Sequence, residues 1–134
     1  MYDLVVTGGT VVDPDQRLNR PMDVAVTDGR VSAIDPHLDA NLTSRQIDAT
    51  GMIVCPGLVD LHVHIYEGVS HYGINADEHV LPSGVTTAVD AGSAGASTFS
   101  GLRRYVIDVS DTRLLAFLNV SSMGMISQSV GELE

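Results

Sequence analysis

Three residues, Asp60, His62 and His64, alternate along Gly57-Leu58-Val59-Asp60-Leu61-His62-Val63-His64, and their types and spacing suit the binding of a cation. In an extended strand successive side chains point to opposite faces. Asp60, His62 and His64 would then share one side, and Val59, Leu61, Val63 and Ile65 the other. Two imidazoles one pleat apart can turn ring nitrogens toward a single ion, and neutral imidazole is a common ligand for zinc and similar cations. The alternative for a bare His-x-His is a pair of half-buried rings bonded to backbone. Context favours ligation here: the pair ends an apolar alternation, follows Pro56-Gly57 and has a carboxylate two residues upstream. Two ligands do not by themselves complete a site.

A strand that is apolar on one face and polar on the other suits a barrel, whose strands pack under helices outside and open at their C-terminal ends into a site. The texture after Pro56 agrees, reading strand, helix, strand, helix, strand, as parallel βαβ units do. Asn75 is placed to cap a helix, with Glu78 in the capping-box position and Pro82 and Gly84 closing it after about two turns. His79 falls in that helix as a surface or packing residue, and His71 lies in the loop before it. Val85 to Asp90 is the second strand, ending on a carboxylate at the same end as the histidines. The loop Ala91 to Ala96 has room for backbone amides to approach a ligand but lacks the spacing of a nucleotide fingerprint. Phe99, Leu102, Val106 and Val109 recur at helical spacing, with Ser97 or Thr98 as cap and Arg103 and Arg104 toward solvent. Leu114 to Val120 is the third strand, and 128–134 has space for the start of another helix.

The first 55 residues read as short strands and turns. Gly8-Gly9, between Leu4-Val5-Val6 and Thr10-Val11-Val12, predicts a tight hairpin, and Pro14 and Pro21 bound a polar connector. Asp28-Gly29 predicts a type I′ hairpin between Met22–Val26 and Arg30–Ile34. A loop over 35–45, carrying His37, precedes two further short strands at Gln46-Ile47-Asp48 and Met52-Ile53-Val54. Cys55, the single cysteine, has no partner for an internal disulfide and reads as a buried small thiol.

At 134 residues and 44% hydrophobic the chain has material for a core. No apolar run approaches the ~20 residues of a membrane span, and Met1-Tyr2-Asp3 does not begin a signal peptide. A cytoplasmic location is the expectation. The net charge is −10, with seven arginines and no lysine, which argues against nucleic acid and against an anionic membrane surface.

Pro56-Gly57-Leu58-Val59-Asp60-Leu61-His62-Val63-His64, followed by Gly84-Val85-Thr86-Thr87-Ala88-Val89-Asp90-Ala91-Gly92, resembles the N-terminal part of the amidohydrolase superfamily. The resemblance covers essentially the whole chain. It implies an α/β fold: a small β-sandwich-like domain (1–55) and the first three βα units (56–134) of a metal-dependent (β/α)8 TIM-barrel hydrolase. It also implies that His62 and His64 bind zinc or another divalent metal, one or two ions in the complete site, with Asp60 supporting them from beneath. Ser93, Gly95 and Asn119 are candidates for substrate contact. Such a centre activates water for attack on an amide, cyclic amide or ester carbonyl of a small molecule. Family members complete it with a carboxylated lysine or glutamate after the fourth strand, histidines after the fifth and sixth, and a proton-handling aspartate after the eighth. A complete barrel takes ~250 residues, so the expectation is a fragment, inactive alone, of a protein that is a homo-oligomer at full length. Unpaired strand edges and an uncovered sheet face would make such a piece prone to aggregate.

Within the superfamily the dihydroorotase-like group fits best. Dihydroorotases carry His-x-His-x-Arg, the arginine holding a substrate carboxylate, where this chain has Tyr66. Ala91-Gly92-Ser93-Ala94-Gly95 and Leu118-Asn119-Val120-Ser121 look more like the deacetylase and D-aminoacylase branch. A dihydroorotase or hydantoinase-like cyclic amide hydrolase is the alternative within the family. A non-catalytic remnant or assembly module is the alternative outside it.

Overall fold

The computed structural model describes residues 1–39, 41, 43 and 45–126, so the helix start expected over 128–134 lies outside the described residues. The chain divides into two compact units, Met1–Pro56 and a second from Gly57 onward.

In the first unit, β1 (Leu4–Asp13), β2 (Leu18–Thr27), β3 (Arg30–Asp35), β4 (Gln46–Asp48) and β5 (Ile53–Val54) form one mixed sheet. β2 and β3 are joined antiparallel through Asp28 and Gly29, at φ 51° and 69°, the two positive angles that a type I′ turn requires. β4 and β5 both run parallel to β1 along its other edge. The hairpin expected at Gly8-Gly9 is instead a bulge within one ten-residue strand, where the register to β2 shifts between Val6 and Gly9. Gly8 takes φ 74°, and its amide, turned out of the ladder, donates to buried Asp23 Oδ1 at 2.9 Å. Pro21 lies inside β2 and not at the end of a connector. It pairs with Thr10 where β3 has not yet begun, so its missing N–H costs no ladder bond on that side. Val11, Met22 and Val24 form the small core. Cys55 is exposed, against the expectation of burial, because β5 ends at Val54 and nothing packs over the thiol.

In the second unit, β6 (Leu58–Val63), β7 (Val85–Asp90) and β8 (Arg113–Ala116) run parallel in that order. α1 (Ala76–His79) and α2 (Phe99–Tyr105) fill the crossovers. Asn75 caps α1 as expected, its side chain accepting from the Asp77 and Glu78 amides. The helix is shorter than expected: the chain tightens into a 3-10 turn over Leu81–Ser83, where Pro82 has no N–H to continue an α-helix, and stops at Gly84 with φ 84°. Val63, Ile65, Val80, Ala88, Leu102 and Leu114 are among the buried core on the helix side. Val109 is exposed, because α2 gives way to a 3-10 turn over Ile107–Val109 and the helical face is lost.

Two carboxylates tie this unit together. Asp77 accepts from Ser110 Oγ (2.6 Å), Thr112 Oγ1 (2.6 Å), the Thr112 amide (2.8 Å) and the Asp111 amide (3.0 Å), fastening α1 to the approach to β8. The Ser110 and Thr112 hydroxyls hold its carboxyl well below the usual carboxylate range. Asp90 is fully buried at the opposite end of the strands. Its Oδ1 accepts from the Gly92 amide (2.9 Å) and the Ser93 amide (2.6 Å), and its Oδ2 from the Ile65 amide (3.0 Å).

A carboxyl whose folded pKa is depressed stabilises above its unfolded pKa of about 4 and loses that contribution as pH falls. Resistance to urea unfolding is therefore expected to fall between pH 6 and pH 3 in the native chain and to fall less in Asp77→Asn. At pH 7, Asp77→Ala should cost about 1–3 kcal/mol. Asp90→Asn places an amide donor against a backbone donor inside the protein. It should cost about 2–4 kcal/mol and deprotect the Ile65, Gly92 and Ser93 amides in hydrogen exchange.

Candidate metal centre

β6 carries the histidine pair to its C-terminal end, but the strand is not regular throughout. Its register to β7 slips by one residue between Asp60 and Val63. Asp60 Oδ1 accepts the His62 amide at 2.9 Å, a bond from side chain to backbone that draws that amide out of the ladder. The unbroken apolar face expected from Val59 to Ile65 is thereby interrupted: Val63 and Ile65 are buried, while Val59 and Leu61 are 57% and 68% exposed. His62 and His64 remain neighbours, with ring centroids 5.6 Å apart and planes nearly perpendicular at 85°. His62 is exposed and His64 half buried.

His64 has two further neighbours. Its Nδ1 lies 3.0 Å from Ser93 Oγ, and the Tyr72 ring sits 5.9 Å away at a tilt of 36°. His71 meets Tyr72 edge-on at 4.6 Å, and the His71 amide donates to the Met125 carbonyl. No described residue bonds the His62 ring. No group of three or more His, Cys, Asp or Glu side chains comes together among the described residues. The donor set therefore fits a divalent cation to the extent of two imidazoles, His64 with Nδ1 already engaged and Nε2 left over.

The residues marked for substrate contact have other commitments. Ser93 is fully buried against His64. Gly95 lies so close to the backbone of Ser121 and Ser122 that a Cβ would strike it, which accounts for glycine there. Asn119 donates through Nδ2 to the Gly92 carbonyl at 2.7 Å and accepts the Ser121 amide at 2.9 Å. The loop after β7 is consequently roofed by residues 117–125, the Asn119 amide reaching the Ala94 carbonyl and the Met125 amide the Ser93 carbonyl. The Gly92 and Ser93 amides are taken by Asp90 Oδ1 and the Gly95 amide by Thr98 Oγ1, so these three are not open to a ligand as the sequence suggested. The third strand, expected to run to Val120, stops at Ala116 because its ladder to β7 ends at Asp90 and the chain turns to cover this loop.

Sequence reasoning overlooked Asp90 as the organiser of this end. Asp-Ala-Gly-Ser is the signal that could have revealed it, since an Asp side chain readily accepts the amides two and three residues on. Tyr66 turns away from the histidines. Its ring packs against the helix-side core, and its hydroxyl reaches the Thr98 carbonyl at 3.4 Å.

No family model matches the chain. A deacetylase of Agrobacterium fabrum is 45% identical over 100 residues, which are 75% of this chain and 25% of that protein. A dihydroorotase crystal structure superposes with a TM-score of 0.81 at 36% identity, covering 95% of this chain and 34% of the other. A D-aminoacylase whose binuclear metal centre has been studied matches at TM-score 0.52 and 31% identity, over 69% of this chain and 19% of that one. The chain thus spans from about a fifth to a third of the length of these proteins. With the β6–β7–β8 sheet and its paired histidines, these likenesses show that the chain belongs to the amidohydrolase superfamily and has the α/β fold of about a third of the length of its (β/α)8 members.

Proposed function

We propose that the segment is part of a metal-dependent hydrolase, deacetylase-like, that cleaves an amide, cyclic amide or ester bond in a small molecule. The observation that carries this reading is the pair of imidazoles at the C-terminal end of β6, 5.6 Å apart, with one of them already held through its Nδ1. His62 and His64 would hold the cation, zinc in the first instance. When bound, it supplies an acidified water and a polarised carbonyl. Asp60 keeps the His62 backbone in place at the strand end, and the roofed loop after β7 forms a rigid wall beside His64. Residues 1–55 act as the accompanying β-domain and 56–134 as the first three βα units. The groups that complete the centre and move the proton come from elsewhere in the whole enzyme.

Tyr66 supports the deacetylase branch over dihydroorotase. Where dihydroorotases carry an arginine for a substrate carboxylate, this chain has a phenol committed to the helix layer. No helix among the described residues is long and apolar enough to cross a membrane. The whole enzyme is read as a cytoplasmic homo-oligomer, and the net charge of −10 argues against nucleic acid as its partner.

The test compares zinc content and hydrolysis of an N-acetyl amino acid panel in this chain and in a version extended through the rest of its reading frame. The extended protein is expected to hold zinc and turn over, and this chain alone to do neither. In the extended protein, His62→Ala and His64→Ala should each strip zinc and activity together. Turnover by the 134-residue chain alone, or full activity without either histidine, would overturn the reading.

A further inference from the structure

We infer that Ser93 is a positioning residue for His64: its hydroxyl holds the imidazole in the tautomer with hydrogen on Nδ1, leaving the Nε2 lone pair to face a cation. This rests on the reading of His64 as a metal ligand. A neutral imidazole has one N–H and one lone pair, whereas a serine hydroxyl can accept or donate. If Ser93 donated to Nδ1, hydrogen would sit on Nε2 and that nitrogen could not ligate. Donation from Nδ1–H to Ser93 Oγ is the arrangement that serves both bonds. Histidine ligands are commonly oriented in this way by an acceptor at the second ring nitrogen.

The geometry fixes where Ser93 sits, and the direction of the bond follows from the need of a cation for Nε2, at the cost of a Ser93 O–H without an acceptor among the described residues. Its side chain is fully buried, and His64 Nδ1 is the one partner of its hydroxyl among the described residues. Its amide is held by Asp90 Oδ1 at 2.6 Å, and its carbonyl accepts the Met125 amide at 2.9 Å. Asp90 Oδ2 accepts the amide of Ile65, the residue next to His64. One buried carboxylate therefore fixes the backbone on both sides of the Ser93–His64 bond. His62 has no such partner among the described residues. Its ring is the adjustable member of the pair, and that of His64 the preset one.

The experiment reads the His64 ring nitrogens by ¹⁵N NMR in the metal-free chain, then titrates zinc against a competing chelator in the version extended through the rest of its reading frame. Native protein should show hydrogen on Nδ1. Ser93→Ala, which retains both backbone bonds, should shift the ring toward the Nε2–H form that free histidine favours and weaken zinc binding about 10–100-fold. Ser93→Thr should restore both. Hydrogen on Nε2 in the native chain, or no change of tautomer in Ser93→Ala, would overturn the inference, and the first of these needs no variant to fold. Zinc affinity that ignores His62→Ala and His64→Ala would overturn the ligand reading instead, and the metal-free spectrum keeps the two failures apart.

Discussion

The carboxylate of Asp90 is taken wholly out of water, and the bonds it accepts come from backbone: two amides of the loop that follows it and the amide that follows His64. The one ion pair among the described residues, Arg103 with Asp108, is elsewhere on the surface. Burial of an ionised carboxyl is costly unless its oxygens are met by donors, and bonds to charged acceptors are roughly twice as strong as neutral ones. The arrangement is therefore close to all-or-none. With all three donors in place it locks the ends of β6 and β7 and the turn at Gly92; with the Ile65 amide withdrawn, the buried Oδ2 is left facing nothing. The candidate centre inherits its rigidity from this constraint, since both partners of the Ser93–His64 contact are adjacent to, or are, residues whose amides Asp90 holds.

What could be read from sequence was whatever chemistry acts over a few residues. Asn75 and Gly84 mark the two ends of a short helical stretch by capping, and Asp28-Gly29 names its own turn. β7 runs from Val85 to Asp90, where its β-branched residues begin and its carboxylate ends. The misreadings have a common origin in partners distant along the chain. Gly8-Gly9 is compatible with a hairpin or a bulge, and the choice is made by Asp23, fifteen residues away. The apolar run after Leu114 gives no sign that its ladder ends with β7 at Asp90. Ser93, Gly95 and Asn119 are small or polar, and sequence alone does not show that the chain at 117–125 packs against them.

The second unit treats its two apolar sets unequally. Val63, Ile65 and Leu114 are sealed in one cluster with Leu102 of α2, whereas Val59, Leu61, Leu115 and Phe117 are exposed. In a closed barrel the inner face is filled by layers of such branched and bulky side chains. The fold of these residues is thus carried by the helix side and by the two aspartates, and the histidines stand at the rim of the less protected side.

Cys55 has a practical consequence. It is exposed, single, and placed beside Pro56, where the first compact unit ends. With no lysine in the chain, thiol-directed and amine-directed reagents cannot compete for side chains. A maleimide fluorophore or nitroxide would therefore attach at one known point, on the peptide that joins the two units, without any residue having to be engineered. The rotational freedom of that label would report how firmly the peptide around Cys55 is held in this chain.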